Sequence, residues 1–285
     1  MTNKRSLQGL ASKELLVGTF LLLFLAGSFF LFPLIQEVDP FQTTLDIFAP
    51  PGGRYLLGTN DVGQDIFARL MTGGKNSLQV ALGVGFCSTL LAAACGVSAG
   101  LAGGWFDKLL MRLVDVMLVI PNIIIIILIA SYLTPNITGE ILIISLLAWL
   151  GGARIIRAQV LSLKERPHIY AARLFGAGEF YILRKHIWPE LIPLLLTLFL
   201  QGVRRAVLIE AGLGFLGLCD PNFISWGSMI GQALNFFYLD VWKWWLLPTA
   251  GVLALSLISL TLIGYSLEER YILSSERRKH GTANS

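Results

Sequence analysis

Long apolar runs alternate with short polar connectors along most of the chain. The first run, Leu15 to Ile35, follows Lys4, Arg5 and Lys13. It reaches the length of about 20 residues that crosses a bilayer as a helix. It exceeds the apolar core of a cleaved signal peptide, and Pro33-Leu34-Ile35-Gln36 is no small-residue cleavage site, so it reads as a retained first helix. A polar stretch, residues 36–75, carries the turn signals Asp39-Pro40 and Pro50-Pro51-Gly52-Gly53. Apolar helices are then predicted at about 76–102, 109–133, 139–161, 188–213 and 246–267. Gly103 to Asp107 and Thr134-Pro135-Asn136 read as tight turns. Residues 162–187 are charged, and 218–245 are polar and aromatic.

Composition agrees with this pattern. Of 285 residues, 55% are hydrophobic and only 14% charged, against roughly 25% charged in a soluble domain. Mean hydropathy is +0.69, which excludes a disordered chain. The runs are continuous, not alternating, which argues against an outer-membrane barrel. The predicted class is therefore an all-α polytopic membrane protein with six transmembrane helices.

Charge orients it. With the N-terminus inside, 16 Lys and Arg fall on the cytoplasmic side. Four fall outside, namely Arg54, Arg69, Lys75 and Lys243, and Arg204 and Arg205 lie within a helix. This asymmetry places both termini in the cytoplasm, with 1–14 and 268–285 as tails and 36–75 as an extracytoplasmic loop. The net charge of +4 is thus a topology signal and not a nucleic-acid footprint. Trp242, Trp244 and Trp245 fit an aromatic belt against membrane lipid at the outer start of the last helix. Gly96, Gly100 and Gly104 recur every fourth residue and predict a groove for close helix packing.

Catalytic patterns fail. The histidines His168, His186 and His280 share no metal-ligand spacing with one another or with Cys or carboxylates. Cys87, Cys95 and Cys219 form no CxxC and read as packing residues. Gly73-Gly74-Lys75-Asn76 lacks the first Gly and the Ser/Thr of a phosphate-binding loop. No cofactor, metal or ATP site is expected, so any ATP-driven step needs another polypeptide.

Two constellations remain. In the segment between the fourth and fifth helices, Ile169, Ala172 and Leu174-Phe175 recur at roughly helical spacing, with Gly176 as a stop. Such a segment is either a short helix suited to docking or a solvated basic loop. In the fifth helix, Arg204, Arg205 and Glu210 lie in an apolar run, Arg204 roughly 22 Å along the helix from Pro189. Intramembrane charges are costly. They would line a translocation path, form a structural pair, or, for the arginines, snorkel outward. Asp115, one turn beyond Arg112, is expected to pair locally.

The residues then resemble a known family. Ala171-Ala172, Gly176, Ile187 and Pro189 are spaced as in the "EAA" loop of ABC importer permeases. Leu57-Gly58-Thr59-Asn60-Asp61-Val62-Gly63-Gln64-Asp65, with Arg69, Gly73, Ser77 and Leu78, resembles an outer segment of the dipeptide/oligopeptide/nickel branch. Gly214 to Leu218 followed by Ser225 to Met229, and Arg112 to Asp115 followed by Pro121, are similar to two further blocks. Departures are Tyr170 for the family's Glu, Asn60 and Gln64 for an Asp and an Arg, Cys219 for a Gly, and Tyr265 to Arg270 at the end. The outer-loop ion pair is accordingly expected to be missing.

The resemblance implies a permease subunit in a bacterial cytoplasmic (inner) membrane, not itself an enzyme. It implies a second homologous permease, two ABC ATPase subunits and an extracytoplasmic substrate-binding protein as partners. The substrate would be a short peptide, or nickel as a small chelate. The loop would be the ATPase-coupling helix, carried by Tyr170, Ala171, Ala172, Gly176, His186 and Pro189. The rival is an ion-coupled secondary transporter or a polytopic membrane enzyme, which would need an inverted repeat or paired catalytic residues; neither stands in the sequence.

Overall fold

The computed structural model describes residues 2–35 and 39–281; positions 36–38 of the outer loop and 282–285 of the C-terminal tail lie outside the described residues. Helix α1 spans Thr2–Ile35, α2 Ile66–Ala102, α3 Gly104–Val119, α4 Asn122–Leu133 and α5 Ile137–Lys164. Then follow α6 (Pro167–Leu174), α7 (Glu179–Ile182) with a π-helical turn at Leu183–Ile187, and α8 (Trp188–Phe215). After these come α9 (Trp226–Leu234), a 3-10 turn at Asp240–Lys243, and α10 (Leu246–Gly281). Among the described residues there is no β-strand.

Five helices are long and apolar enough to cross a membrane, and the pair α3 and α4 makes a sixth, broken span. The break corrects the single helix expected at 109–133. The two halves bend by 77° at Ile120-Pro121, where Ile120 turns extended. Proline has no N–H and disfavours the helical region for the residue before it. Asn122 anchors the new start by donating its amide to Leu147 O at 3.0 Å.

Helix α2 begins ten residues before the apolar run that announced it. Asp65 caps it, accepting from Phe67 N at 2.8 Å. Its 37 residues extend about 55 Å, against a hydrocarbon core of about 30 Å. The first turns therefore project beyond the membrane, and hydropathy reads only the part in lipid. The tails at both ends likewise continue as helix. At the other end of α2, Gly103 and Gly104 both take positive φ, 61° and 59°, and reverse the chain directly into α3.

The core is built where glycines let backbones meet. A Cβ on Gly96 would fall 2.7 Å from Ala153 O, and one on Gly100 would fall 2.7 Å from Val160. Both mark the line where α2 lies along α5. Gly104, the third of the series, meets nothing within 4 Å and serves the turn instead. On another face of α2, Gly85 abuts Val203 of α8. Lys164 closes this interface by donating to the C-terminal carbonyls Gly100 O and Leu101 O, at 3.1 and 3.0 Å. Arg157 of α5 grips Asp107 of α3 through both carboxylate oxygens. Asp115 pairs with Arg154 at 3.4 Å, not with Arg112 as expected.

Gly96→Val should overpack the α2–α5 seam and cost about 1–3 kcal/mol. Gly212→Ala, built into open space, should leave stability unchanged or slightly raised. Thermal unfolding of the purified chain in mild detergent checks this. Equal shifts for the two variants would contradict the close-contact account.

Candidate functional site

The cytoplasmic segment between α5 and α8 is ordered by a few buried anchors. Arg166 is extended and Pro167 opens α6, which suits the fixed φ of proline at a first helical position. Ile169 is fully buried in the inner core cluster with Val160, Leu163, Ile182, Ile187 and Leu191. The end of α6 is a Schellman motif. Gly176 N donates to Arg173 O at 2.9 Å and Ala177 N to Ala172 O at 3.0 Å, with Gly176 at φ +83°. The expected stop at Gly176 is thus where the helix ends.

The expected apolar spacing splits into two faces. Ile169 points into the core, while Tyr170, Leu174 and Phe175 point out, with exposures of 63%, 71% and 91%. Phe180 and Tyr181 extend this uncovered patch. Ala171 and Ala172 are half-buried beneath it. Ion pairs brace its rim: Arg173 with Glu179 at 2.8 Å and Arg166 with Glu190 at 2.5 Å. His186, in the π-helical turn, is half-buried against His168 and Tyr181, with ring centroids 5.8 and 5.9 Å apart. It therefore ties α6 to the approach of α8. Pro189 is exposed near the start of α8.

The charges of α8 do not form one site. Arg204 and Arg205 are exposed and make no ion pair among the described residues. Arg205 joins Gln201, Ser88, Thr89 and Trp149 around a cleft of about 110 Å³ between α2, α5 and α8. Glu210 is fully buried beside the hydroxyls of Ser77 and Ser225. Five or six residues along a helix separate Glu210 from the arginines by well over a quarter turn, so a structural Arg–Glu210 pair, one of the three readings, is not made. The sequence reading missed Glu140, one turn into α5. It is 1% exposed and accepts from the Cys219 thiol at 3.4 Å. A carboxylate so early in an apolar helix was its only signal.

The two outer motifs meet above these carboxylates. Gly58 and Gly63 take positive φ, 71° and 74°, where Cβ atoms would clash with Ala49 O and Thr44 O. Asn60 Nδ2 donates to Gln64 Oε1 at 2.9 Å and Gln64 N to Asn60 Oδ1 at 2.7 Å. Buried Arg69 donates to that same Gln64 oxygen and to Gln232 Oε1 of α9 at 3.0 Å. Asn76 donates to Ile224 O at 2.8 Å, and Trp226 N to Ser77 Oγ at 3.3 Å. Gly227 lies so close to α8 that a Cβ would sit 2.2 Å from Ala211 O. The start of α2 and the turn into α9 thus form one cap.

A double-mutant cycle with Arg69→Gln and Gln232→Ala should give a coupling of about 1–2 kcal/mol in unfolding free energy. Strictly additive losses would show that this bond does not join the outer loop to α9.

Three comparisons with known proteins bear on this architecture. Residues 92–272 match the family described as binding-protein-dependent transport system inner membrane component. A protein of Brucella suis biovar 1 (strain 1330), provisionally named a peptide permease, is 34% identical over 267 residues, covering 92% of this chain and 87% of its own. A Brucella abortus biovar 1 (strain 9-941) protein, provisionally named a peptide transport system permease, is 35% identical over 260 residues, covering 89% of this chain and 85% of its own. The chain belongs to the binding-protein-dependent transport system inner membrane component family, as a multi-pass permease of the bacterial inner membrane.

Proposed function

We propose that this chain is one of two homologous permease subunits of an ATP-driven importer for short peptides. A binding protein delivers the peptide to the outer cap, and two separate ATPase subunits dock on the cytoplasmic face. The observation that carries this reading is the patch of Tyr170, Leu174 and Phe175, uncovered on a helix whose opposite side is locked into the core by Ile169. An exposed aromatic cluster on rigid backing is suited to a partner's groove. Peptide is favoured over a metal chelate because the relatives' names refer to peptides.

The geometry also gives a route for force. The π-helical turn at Leu183–Ile187 runs without a break into α8, and Ile182 and Ile187 pack with α5 residues. Movement of the ATPases would shift α6 as a rigid handle and, through the Ile169 contact, tilt α5 and α8 together. Tyr170 replaces a carboxylate, so docking here rests on aromatic burial more than on charge. An ion-coupled carrier finds less support, because Glu140 and Glu210 are enclosed within the subunit and do not line an aqueous path. The same burial favours a structural role for Glu210 over a place in the translocation path. Arg205, beside its cleft, is the better candidate for that path.

Phe175→Glu alters a surface side chain that is 91% exposed, so membrane insertion and thermal stability should hold. ATPase association should weaken by about 2 kcal/mol, roughly 30-fold. Gly176→Pro removes the N–H of the Schellman motif and cannot reach φ +83°, so it should uncouple ATP hydrolysis from transport. Co-purification with the ATPases, and uptake in right-side-out or reconstituted vesicles loaded with ATP, measure both. Normal ATPase binding by Phe175→Glu would overturn the docking assignment.

A further inference from the structure

The outer loop holds a cavity that the permease reading leaves without a role. It measures about 270 Å³ and is lined by Asp39, Gln42, Thr44, Arg54, Tyr55, Gly63 and Asp65. Its floor is preset. Thr44 Oγ1 donates to Gly63 O at 2.7 Å, and the Tyr55 hydroxyl lies 3.4 Å from Thr44 Oγ1 and 3.3 Å from Asp46 Oδ2. Gly63 is obligatory there, since a Cβ would come within 2.1 Å of Thr44 O.

The charges on its walls are not spent on each other. Asp39 uses Oδ1 to accept from Phe41 N at 2.9 Å, and Asp65 uses Oδ1 to cap α2. The second oxygen of each has no hydrogen bond among the described residues. Arg54 is exposed. It contacts the ring of its neighbour Tyr55, 5.6 Å from the centroid, and forms no ion pair among the described residues. Two carboxylates and one guanidinium therefore line one concavity while held apart. A ligand with a cationic and an anionic end would satisfy both signs at once. The Arg54 fork matches a carboxylate, and the free oxygens of Asp39 and Asp65 match an ammonium. Enclosed ligand sites run from roughly 300 Å³ upward, so a cavity of this size suits a ligand as small as a dipeptide, not a long chain.

We propose that this cavity is a capture site for a short, unblocked zwitterionic peptide, with Arg54 holding its carboxylate and Asp39 and Asp65 its ammonium. The proposal rests on the peptide-importer reading and adds a substrate-contacting site on the permease itself. It explains why the loop keeps opposite charges apart around a preset floor.

The test uses the purified full chain in detergent, without binding protein, and three probes: dialanine, N-acetyl-dialanine and dialanine amide. Saturation-transfer NMR reads their binding. Dialanine should bind at least tenfold more tightly than either blocked form. In Arg54→Gln the amide and the free acid should bind equally, and in Asp39→Asn the acetylated and free amine forms should do so. Asp65 is left intact because it caps α2. Equal binding of all three probes, no binding, or indifference to both substitutions overturns the proposal. So does a result in which Arg54→Gln weakens docking of the binding protein while dialanine binding is unchanged, since the cavity would then be a docking socket. ATP-driven dialanine uptake by the reconstituted complex separates the two readings. Uptake without the binding pattern removes the capture site and leaves the importer. The binding pattern without uptake removes the importer and leaves the site.

Discussion

In a bilayer, burying apolar surface does little to hold one helix against another, because lipid is as apolar as leucine. Contact must come from close van der Waals packing between small residues. In this chain that contact is concentrated on α2. Gly96 and Gly100 bring it against α5, and Gly85 brings it against α8. Its projecting first turns carry Gly73, Asn76 and Ser77, which receive the turn into α9. The same helix therefore fixes the spacing of α5 and α8 at the inner end and the position of the cap at the outer end. Those are the two ends at which an importer has to work.

The inner end shows how packing defines a surface. Ile169 is buried only because α5, the π-helical turn and α8 converge on it. Once Ile169 is fixed, the 100° step of a helix turns Tyr170 and Leu174 outward, and the Schellman motif holds Phe175 clear of the protein. The aromatic patch is thus a consequence of one buried isoleucine and one left-handed glycine. A solvated basic loop would need neither.

Much of this was legible in the sequence where one rule dominates. Apolar length placed the spans, and Gly176 marked the end of α6. Other features depended on competition between rules. Hydropathy could not see that α2 starts at Ile66, because its first turns leave the lipid. Pro121 was a candidate helix breaker, yet the 25-residue apolar run around it reads as one span, since composition does not say whether a missing N–H bends a helix. Asp115 had a local partner at helical spacing in Arg112, yet Arg154 of α5 pairs with it instead. The spacing in α6 reads as one face, although Ile169 is buried and Phe175 is exposed. Arg204, Arg205 and Glu210 were grouped by proximity along the chain, which on a helix says nothing about a shared face. Glu140 and Cys219 are 79 residues apart, and no local pattern could join them.

The outer cap carries this logic one step further. An Asp and an Arg at positions 60 and 64 would be able to form an ion pair. This chain instead pairs two amides, and each amide has both a donor and an acceptor to offer. Gln64 can therefore hold Asn60 and still accept from Arg69, leaving the Arg69 guanidinium with a second donor for Gln232. With an arginine at position 64, that acceptor would be gone, and two guanidiniums would face each other in a buried space. The amide substitution is thus coupled to the bridge from the loop to α9. It closes the cap through neutral side chains and one cation, and it leaves Asp39, Asp65 and Arg54 outside that network, around the cavity of the outer loop.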